Sequence, residues 1–273
     1  MMAGGGPVGG ANPVAGGGPV VLGLDTATAA TAVALRVADG STMQARDDPR
    51  PGEHPGHATR LLEMAGELLA GAGVGWREID RVAVGVGPGG FTGLRVGIAT
   101  ARGLAQSLSA EIVGVSSTQA LAHAALTSED RQGEEERADS ILAVIDARRG
   151  EVFAAAYELS ASLGEAIELL GPSALAPDDL ASVIAQAQQR DGERVRRWLV
   201  VGDGALRYPD AVRAAGVRAA GAESPLHRVS AVAICELGCR AKPAASWDEI
   251  VPDYRRRPDA ELALEAAGAR KAL

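Results

Sequence analysis

Several clusters of residues have the types and spacing for chemistry. Gly85-Val86-Gly87-Pro88-Gly89-Gly90 carries the spacing GxGxxG, in which bare glycines let a backbone approach a phosphate. It follows an apolar run and precedes a helical pattern, the context of a dinucleotide fingerprint. Two further requirements of that fingerprint fail. The fingerprint usually opens the first βαβ unit, whereas three strands and a helix come before this motif. The acid expected ~20 residues on, at the end of the next strand, is missing, because Glu111 stands at that strand's start. A phosphate loop ending in Gly-Lys-Ser or Gly-Lys-Thr is excluded too, since no lysine follows Gly93. Asp25-Thr26-Ala27-Thr28 places a carboxylate and hydroxyls on a short turn. Such a set can hold a metal-bound nucleotide phosphate, and equally can cap a hairpin turn. Gly202-Asp203-Gly204, between a strand and a helix, can admit a nucleotide to the backbone or simply make a tight turn. Asp25, Thr26, Thr28, Gly202 and Gly204 are therefore the candidate nucleotide residues.

Metal and nucleophile chemistry find less support. His54 and His57 lie in a Pro/Gly-rich stretch beside Glu53, without a third or fourth ligand, and read as solvent-exposed loop histidines. Cys235 and Cys239 share one face of a helical pattern, as two small apolar core residues would. No GxSxG elbow and no HExxH helix occurs. A hydrolase or protease reading therefore has no residues to stand on.

The elements that position these residues follow from periodicity. Val20 to Asp25, Thr31 to Val37, Ser41 to Arg46 and Arg81 to Val86 read as strands, with Asp39-Gly40 as a hairpin dipeptide. Thr59 to Ala72 is helical, with Leu61, Ala65, Leu68, Leu69 and Ala72 on one stripe. A second helix runs from about Gly93 to Ser109, with Thr92 as its expected N-cap. Its stripe of Leu94, Ile98, Ala101, Ala105 and Leu108 faces a core. Gly93, Gly97 and Ala101 form a smooth line that lets a helix of this chain, or of a partner, come close. Ile112 to Val115 is a strand and Thr118 to Leu126 a helix. After a charged connector, Ile141 to Asp146 and Glu151 to Tyr157 form a hairpin, followed by a strand at Ala166 to Leu170. A helix from Pro177 to Gln189, a strand at Trp198 to Val201 and a last helix from Ser230 to Ala241 complete the series. Two related α/β halves are the economical reading: residues 20–115, and 116–255 with the last helix available to pack back on the first lobe. Residues 1–19 form a Gly/Pro-rich tail expected to be disordered, and 256–273 a C-terminal tail.

Composition sets limits. The chain has 273 residues, 47% of them hydrophobic and only 3% aromatic, so its core must rest on Ala, Val, Leu and Ile. A net charge of −8 makes it a poor stand-alone binder of RNA, whose affinity comes from Lys and Arg on phosphates. The runs Arg194 to Arg197 and Arg255 to Arg257 are expected on the solvated surface. No secretory signal, membrane span or disulfide framework is visible, which predicts a cytoplasmic protein.

Four segments, in order, resemble the TsaB (YeaZ) family of the tRNA threonylcarbamoyladenosine system. They are Leu22 to Thr28, Val84 to Gly97, Asp146 to Phe153, and Pro252-Asp253-Tyr254 with Arg256 and Asp259-Ala260-Glu261. The second is the most specific. Gly90 replaces a usual Ser, and His57-Ala58-Thr59-Arg60-Leu61 only echoes the family's H-S-E-x-L. The resemblance implies an actin-like (ASKHA, RNase H-like) duplicated two-lobe fold with mixed sheets flanked by helices. It also implies a non-catalytic subunit that dimerises with TsaD and enables threonylcarbamoyl transfer to adenosine 37 of tRNA. TsaD carries an HxxxH metal motif; Ser117 and Leu121 stand at the matching positions here, and Leu cannot ligate a metal. The implied pairing uses helices of the first lobe, which makes Leu62, Ala65, Gly93, Gly97 and Ala101 interface candidates. TsaE is implied as the associated ATPase, with ATP or ADP and Mg acting on the assembled complex, none held tightly by this chain. Contact with tRNA is then through the complex, and a homodimer is open to the isolated chain. A stand-alone ATP-dependent kinase or ATPase of the same fold is the alternative.

Overall fold

The computed structural model describes residues 17–50, 52–128, 138–160, 162, 164–190 and 195–256. The first half opens with β1 (Val21–Asp25), β2 (Thr31–Arg36) and β3 (Thr42–Asp47), then α1 (His57–Ala72), β4 (Arg81–Gly87), α2 (Phe91–Leu108) and β5 (Glu111–Ser116). Its five strands lie in the order β3-β2-β1-β4-β5, antiparallel across the first three and parallel across the last three. After α3 (Ser117–Thr127) the second half gives β6 (Ser140–Arg148), β7 (Glu151–Ser160), β8 (Glu165–Leu175), α4 (Leu180–Gln189) and β9 (Trp198–Val201). The short α5 (Asp203–Arg207), α6 (Pro209–Ala214) and β10 (Arg218–Ala219) precede α7 (Ala231–Arg240). The second sheet runs β10-β9-β6-β7-β8. Taken from its own first strand, that is the first sheet's order repeated. The duplication, legible in the sequence only as element order, is thus a duplication of strand order.

Burial shows how the layers stack. Leu61, Met64, Ala65 and Leu69 of α1 join Ile98, Ala101 and Ala105 of α2 on one face of the first sheet, against Leu22, Leu24, Val33, Leu35, Val82 and Val84. The other face carries α7, which follows the second sheet in the chain. Conversely α3, which follows the first sheet, packs on β6, β7 and β8 of the second. The two helices touch each other, so a single cluster from Val21 and Ala83 through Leu121, Ala125 and Ile234 to Ile145 and Tyr157 joins the halves. On the far face of the second sheet α4, α5 and α6 cover Leu142, Val144, Val152 and Val200.

A core poor in aromatics is filled by bringing backbones close. A β-carbon on Gly23 would stand 2.6 Å from Cys235 Sγ and 2.8 Å from the Ala231 carbonyl oxygen. One on Gly238 would stand 2.4 Å from Ala83 Cβ. The last helix therefore lies directly on β1 and β4, with Cys235 wholly buried beneath it.

Local expectations change in three places. Gly90 takes the N-cap of α2, not Thr92, because the helix begins at Phe91 and no side chain caps it. The helix expected from Pro177 starts as a 3₁₀ turn, Pro177–Asp179, and becomes α-helical at Leu180. Arg196 of the basic run is buried, its guanidinium 3.5 Å from Glu158. Arg194, Arg257, residues 1–16 of the N-terminal tail and Asp259-Ala260-Glu261 lie outside the described residues. Gly238→Val should lower stability by about 1–3 kcal/mol, because the added carbons meet sheet backbone and a buried methyl, not open space. Chemical denaturation of the two proteins measures it.

Candidate functional site

Between the halves opens a cleft of about 480 Å³. One wall is the β1–β2 turn at Ala27–Ala29 with His54, His57 and the segment Gly89–Gly93; the other is Asp146–Arg148, Phe153 and Asp203. The nucleotide candidates of the sequence stand in or behind these walls.

Asp25 is behind. It is 1% exposed at the end of β1, its Oδ1 accepting from the Ala27 N–H at 3.0 Å and its Oδ2 from the Ser117 hydroxyl at 2.7 Å. Burial raises its pKa, and the hydrogen bonds from Ser117 and Ala27 oppose that rise. A β-carbon at Gly85 would lie 1.9 Å from Oδ2, so the first glycine of the GxGxxG motif is required by this carboxylate. Gly89, Gly93 and Gly97 follow the same logic. Gly89 abuts the Ala27 carbonyl, where a β-carbon would sit at 2.3 Å, and the Gly90 N–H donates to that oxygen at 2.7 Å. Thr26 is fully buried and donates its hydroxyl to the Gly93 carbonyl at 2.7 Å. β-Carbons on Gly93 and Gly97 would stand 2.1 Å from the Thr26 carbonyl oxygen and 2.3 Å from Thr26 Oγ1.

This geometry corrects the interface expectation. Gly93, Gly97, Ala101 and Ala65 are all buried within this chain, the glycines against Thr26 and the alanines in the core under α1 and α2. Of the five candidates only Leu62 is exposed, at 48%. The stripe is thus the intrachain contact that spacing alone leaves open. His57 corrects a second expectation: it is 6% exposed, in the first turn of α1, with Nδ1 2.9 Å from the Thr31 hydroxyl. Burial lowers its pKa, against the pull of Asp47. His54 is exposed as expected.

Of the nucleotide candidates, Thr28 lines the cleft while Asp25 and Thr26 are sealed behind it. Gly202 has φ 104°, and a β-carbon there would meet the Val144 carbonyl oxygen at 2.1 Å; Gly204 packs on Val144 and Ile145. Both glycines serve the strand-to-helix turn against β6. Between them Asp203, which carries no motif signal of its own, faces the cleft. Its Oδ1 accepts from the Asp146 N–H at 2.9 Å, and burial, with the nearby Asp146 charge, raises its pKa.

Ser117 and Leu121, at the positions of the paralogue's histidines, are buried, the first tied to Asp25 and the second in the shared core. That donor set does not fit a metal ion. Among the described residues no group of three or more His, Cys, Asp or Glu is arranged for one.

The C-terminal segment bridges the two halves. The Asp253 N–H donates to the Val86 carbonyl at 2.8 Å, and Arg256 Nη1 to the Ala147 carbonyl at 2.8 Å, so the segment crosses from one half to the other. Tyr254 stacks on Phe91 with centroids 5.0 Å apart, and Arg95 lies 3.7 Å above the Phe91 ring.

Two sheets of one strand order, each with helices on both faces and a cleft between them, define a two-lobed α/β protein of the actin-like class. Residues 53–223 match the family model "TsaD: tRNA N6-adenosine threonylcarbamoyltransferase". The tRNA threonylcarbamoyladenosine biosynthesis protein TsaB of Escherichia coli (strain K12) is 34% identical over 200 residues, 72% of this chain and 77% of that one. Its Haemophilus influenzae counterpart is 38% identical over 133 residues, 49% of this chain and 51% of that one. The solved structure of YeaZ from Pseudomonas aeruginosa superposes with a TM-score of 0.65 at 27% identity, covering 86% of this chain and 99% of that one. The chain belongs to the TsaB (YeaZ) family.

The buried carboxyl supplies a pH prediction. Asp25 holds its proton more tightly when folded, so its contribution is least unfavourable in acid and stability is lost as pH rises from about 4 through its raised native pKa. Asp25→Asn keeps partners for Ser117 and Ala27 but carries no charge. Its melting temperature should match or exceed that of the parent at pH ~8, the gap closing below pH ~4. Scanning calorimetry across pH checks this, and a variant less stable in the alkaline range contradicts it.

Proposed function

We propose that this chain is the non-catalytic partner subunit of a TsaD-type transferase and enables transfer of a threonylcarbamoyl group to adenosine of tRNA. The observation that carries the reading is the fate of the two positions where the paralogue has its metal-binding histidines. Ser117 is spent on Asp25, and Leu121 is packed in the core. A chain whose family model is that of a transferase, yet whose donor set cannot hold the metal, fits a supporting role. The relatives named for threonylcarbamoyladenosine biosynthesis support the pathway.

The surface offered to a partner is the outward side of α1 and α2. Ala58, Leu62, Ala99 and Gly103 are exposed there, and Gly66 and Thr100 half-buried. The two helices touch one another, so these mostly small residues lie on neighbouring ridges, and a second pair of helices can approach closely. The same surface would serve a homodimer when the partner is absent. TsaE, ATP and Mg enter at the level of the assembled complex in this reading, with the chain in the cytoplasm. Among the described residues no helix is long and apolar enough to cross a membrane.

Reconstitution with TsaD, the other pathway proteins and unmodified tRNA tests the proposal. Omitting this chain should abolish or sharply reduce modification; full modification without it overturns the reading. Leu62→Glu should weaken co-purification with TsaD at least about tenfold while leaving the fold intact, since the residue is exposed. Gly97→Leu is not an equivalent probe: its side chain meets Thr26 and should destabilise the chain itself. Calorimetry with ATP and magnesium addresses the kinase or ATPase alternative, for which turnover by the isolated chain would be decisive.

A further inference from the structure

The last of the four family-like segments, Pro252-Asp253-Tyr254 with Arg256, sets an aromatic ring and a guanidinium two residues apart. What each of them holds gives the spacing a purpose. After α7 the chain follows the first half. The Ala244 N–H donates to the Ile112 carbonyl of β5 at 2.9 Å. Arg102 of α2 donates from Nε to the Ile250 carbonyl at 3.0 Å and from Nη2 to the Asp248 carbonyl at 2.9 Å. Further on, Tyr254 stacks on Phe91, and Arg95 donates from Nε to the Tyr254 hydroxyl at 2.8 Å. Phe91, Arg95 and Arg102 are spaced i, i+4, i+11, which places them on one edge of α2. Residues 248–254 therefore run back along that edge, anchored at both ends to one helix.

The next two residues change sides. Arg256 Nη1 donates to the Ala147 carbonyl of β6 and lies 3.5 Å from Glu151 of β7. Phe91 and Ala147 line opposite walls of the cleft. Two residues of extended chain span about 7 Å at most. With Tyr254 seated on Phe91, the reach of the Arg256 side chain thus bounds the gap between the walls. A smaller hollow of about 230 Å³ adjoins the cleft and shares Thr28, Ala29 and Asp203 with it. The tie there is of another kind: Arg46 of β3 donates to the carbonyl of Val229, a residue of the shared core. The Arg256 tie hangs on residues 250–256, which lie outside every strand and helix, with Val251 60% and Tyr254 41% exposed. Such a segment can let go without breaking a sheet or a helix.

We propose that residues 248–256 are a latch on the cleft. Arg102 and Phe91 hold the strap on the first half, Arg256 catches the second, and the catch sets the width between Phe91 and Ala147. When it is released the halves pivot on the core that α3 and α7 share, a hinge opening of the kind two-lobed proteins make. The latch belongs to the chain by itself and does not depend on pairing with TsaD.

The test measures the separation of the halves in the full chain. Spin labels go on Ala58→Cys, beside His57 of one wall, and on Asp178→Cys, just past the Leu175 that pairs with Val152 of β7. Both positions are exposed; Cys239 is replaced by Ser, and the buried Cys235 is left in place. Labelled protein is diluted in excess unlabelled chain, so that double electron–electron resonance reads intrachain distances alone. The parent should give one narrow distribution. Arg256→Ala should broaden it and shift it to longer distances, with a melting temperature within about 4 °C of the parent's, as expected for loss of a tie outside the core. Arg102→Ala frees the other end of the strap and should give the same broadening. The double variant should show no more than either single one, because both break one connection. A broad distribution in the parent, a parent-like distribution in Arg256→Ala, or effects that add in the double variant overturn the proposal. Broadening in Arg256→Ala without broadening in Arg102→Ala also overturns it, since Arg256 is then a local contact and not the end of a strap.

Discussion

The structure depends on a contact that leaves no room for a β-carbon. The turn after β1 is pressed against the loop and first turns of α2, with Thr26 and Ala27 on one side and Gly89, Gly93 and Gly97 on the other. Two hydrogen bonds hold the contact, Thr26 hydroxyl to Gly93 carbonyl and Gly90 N–H to Ala27 carbonyl. Because of it Asp25 lies sealed under Gly85, α2 is fixed on the sheet, and the cleft has a rigid wall. Of the glycines whose spacing suggests a phosphate, Gly85 makes room for the Asp25 carboxylate and Gly90 gives its N–H to the Ala27 carbonyl. A nucleotide-binding motif and a self-packing motif demand the same thing, closeness without a side chain, and so look alike in one dimension.

A second constraint joins the halves. By exchanging helices, α3 onto the second sheet and α7 onto the first, the chain makes one central core out of two sheets. Alanine and glycine make this possible: Gly23 beneath Cys235 and Ala231, and Ala83 beneath Gly238, let α7 lie almost on the strands. The contact area that large aromatics would supply comes instead from short interlayer distances.

Charge completes the picture. Carboxylates of the kind that could serve a phosphate are occupied within the chain: Asp25 accepts from Ser117 and Ala27, and Asp203, half-buried at the cleft, accepts from the Asp146 amide. Arg148 lines the cleft beside Asp146 and Asp203, on a left-handed backbone.

Much of this was legible in the residues. Strand and helix positions followed from periods of two and 3.6, as the stripe Leu61, Ala65, Leu69 shows, and the segment Val84 to Gly97 carried the family. That position 121 offers no metal donor followed from leucine's own chemistry. Tertiary structure alone decided which neighbour each small residue meets. Gly93 and Gly97 have no side chain to state a preference, and Thr26, 67 residues from Gly93, is the partner only because β1 and α2 are brought together. His57 read as a loop residue because nothing near it in sequence announces Thr31 across the turn. The pairing of Phe91 with Tyr254 joins residues far apart in the chain. Sequence determines what a residue can do through its own chemistry and period; contacts between distant segments depend on how the whole chain closes.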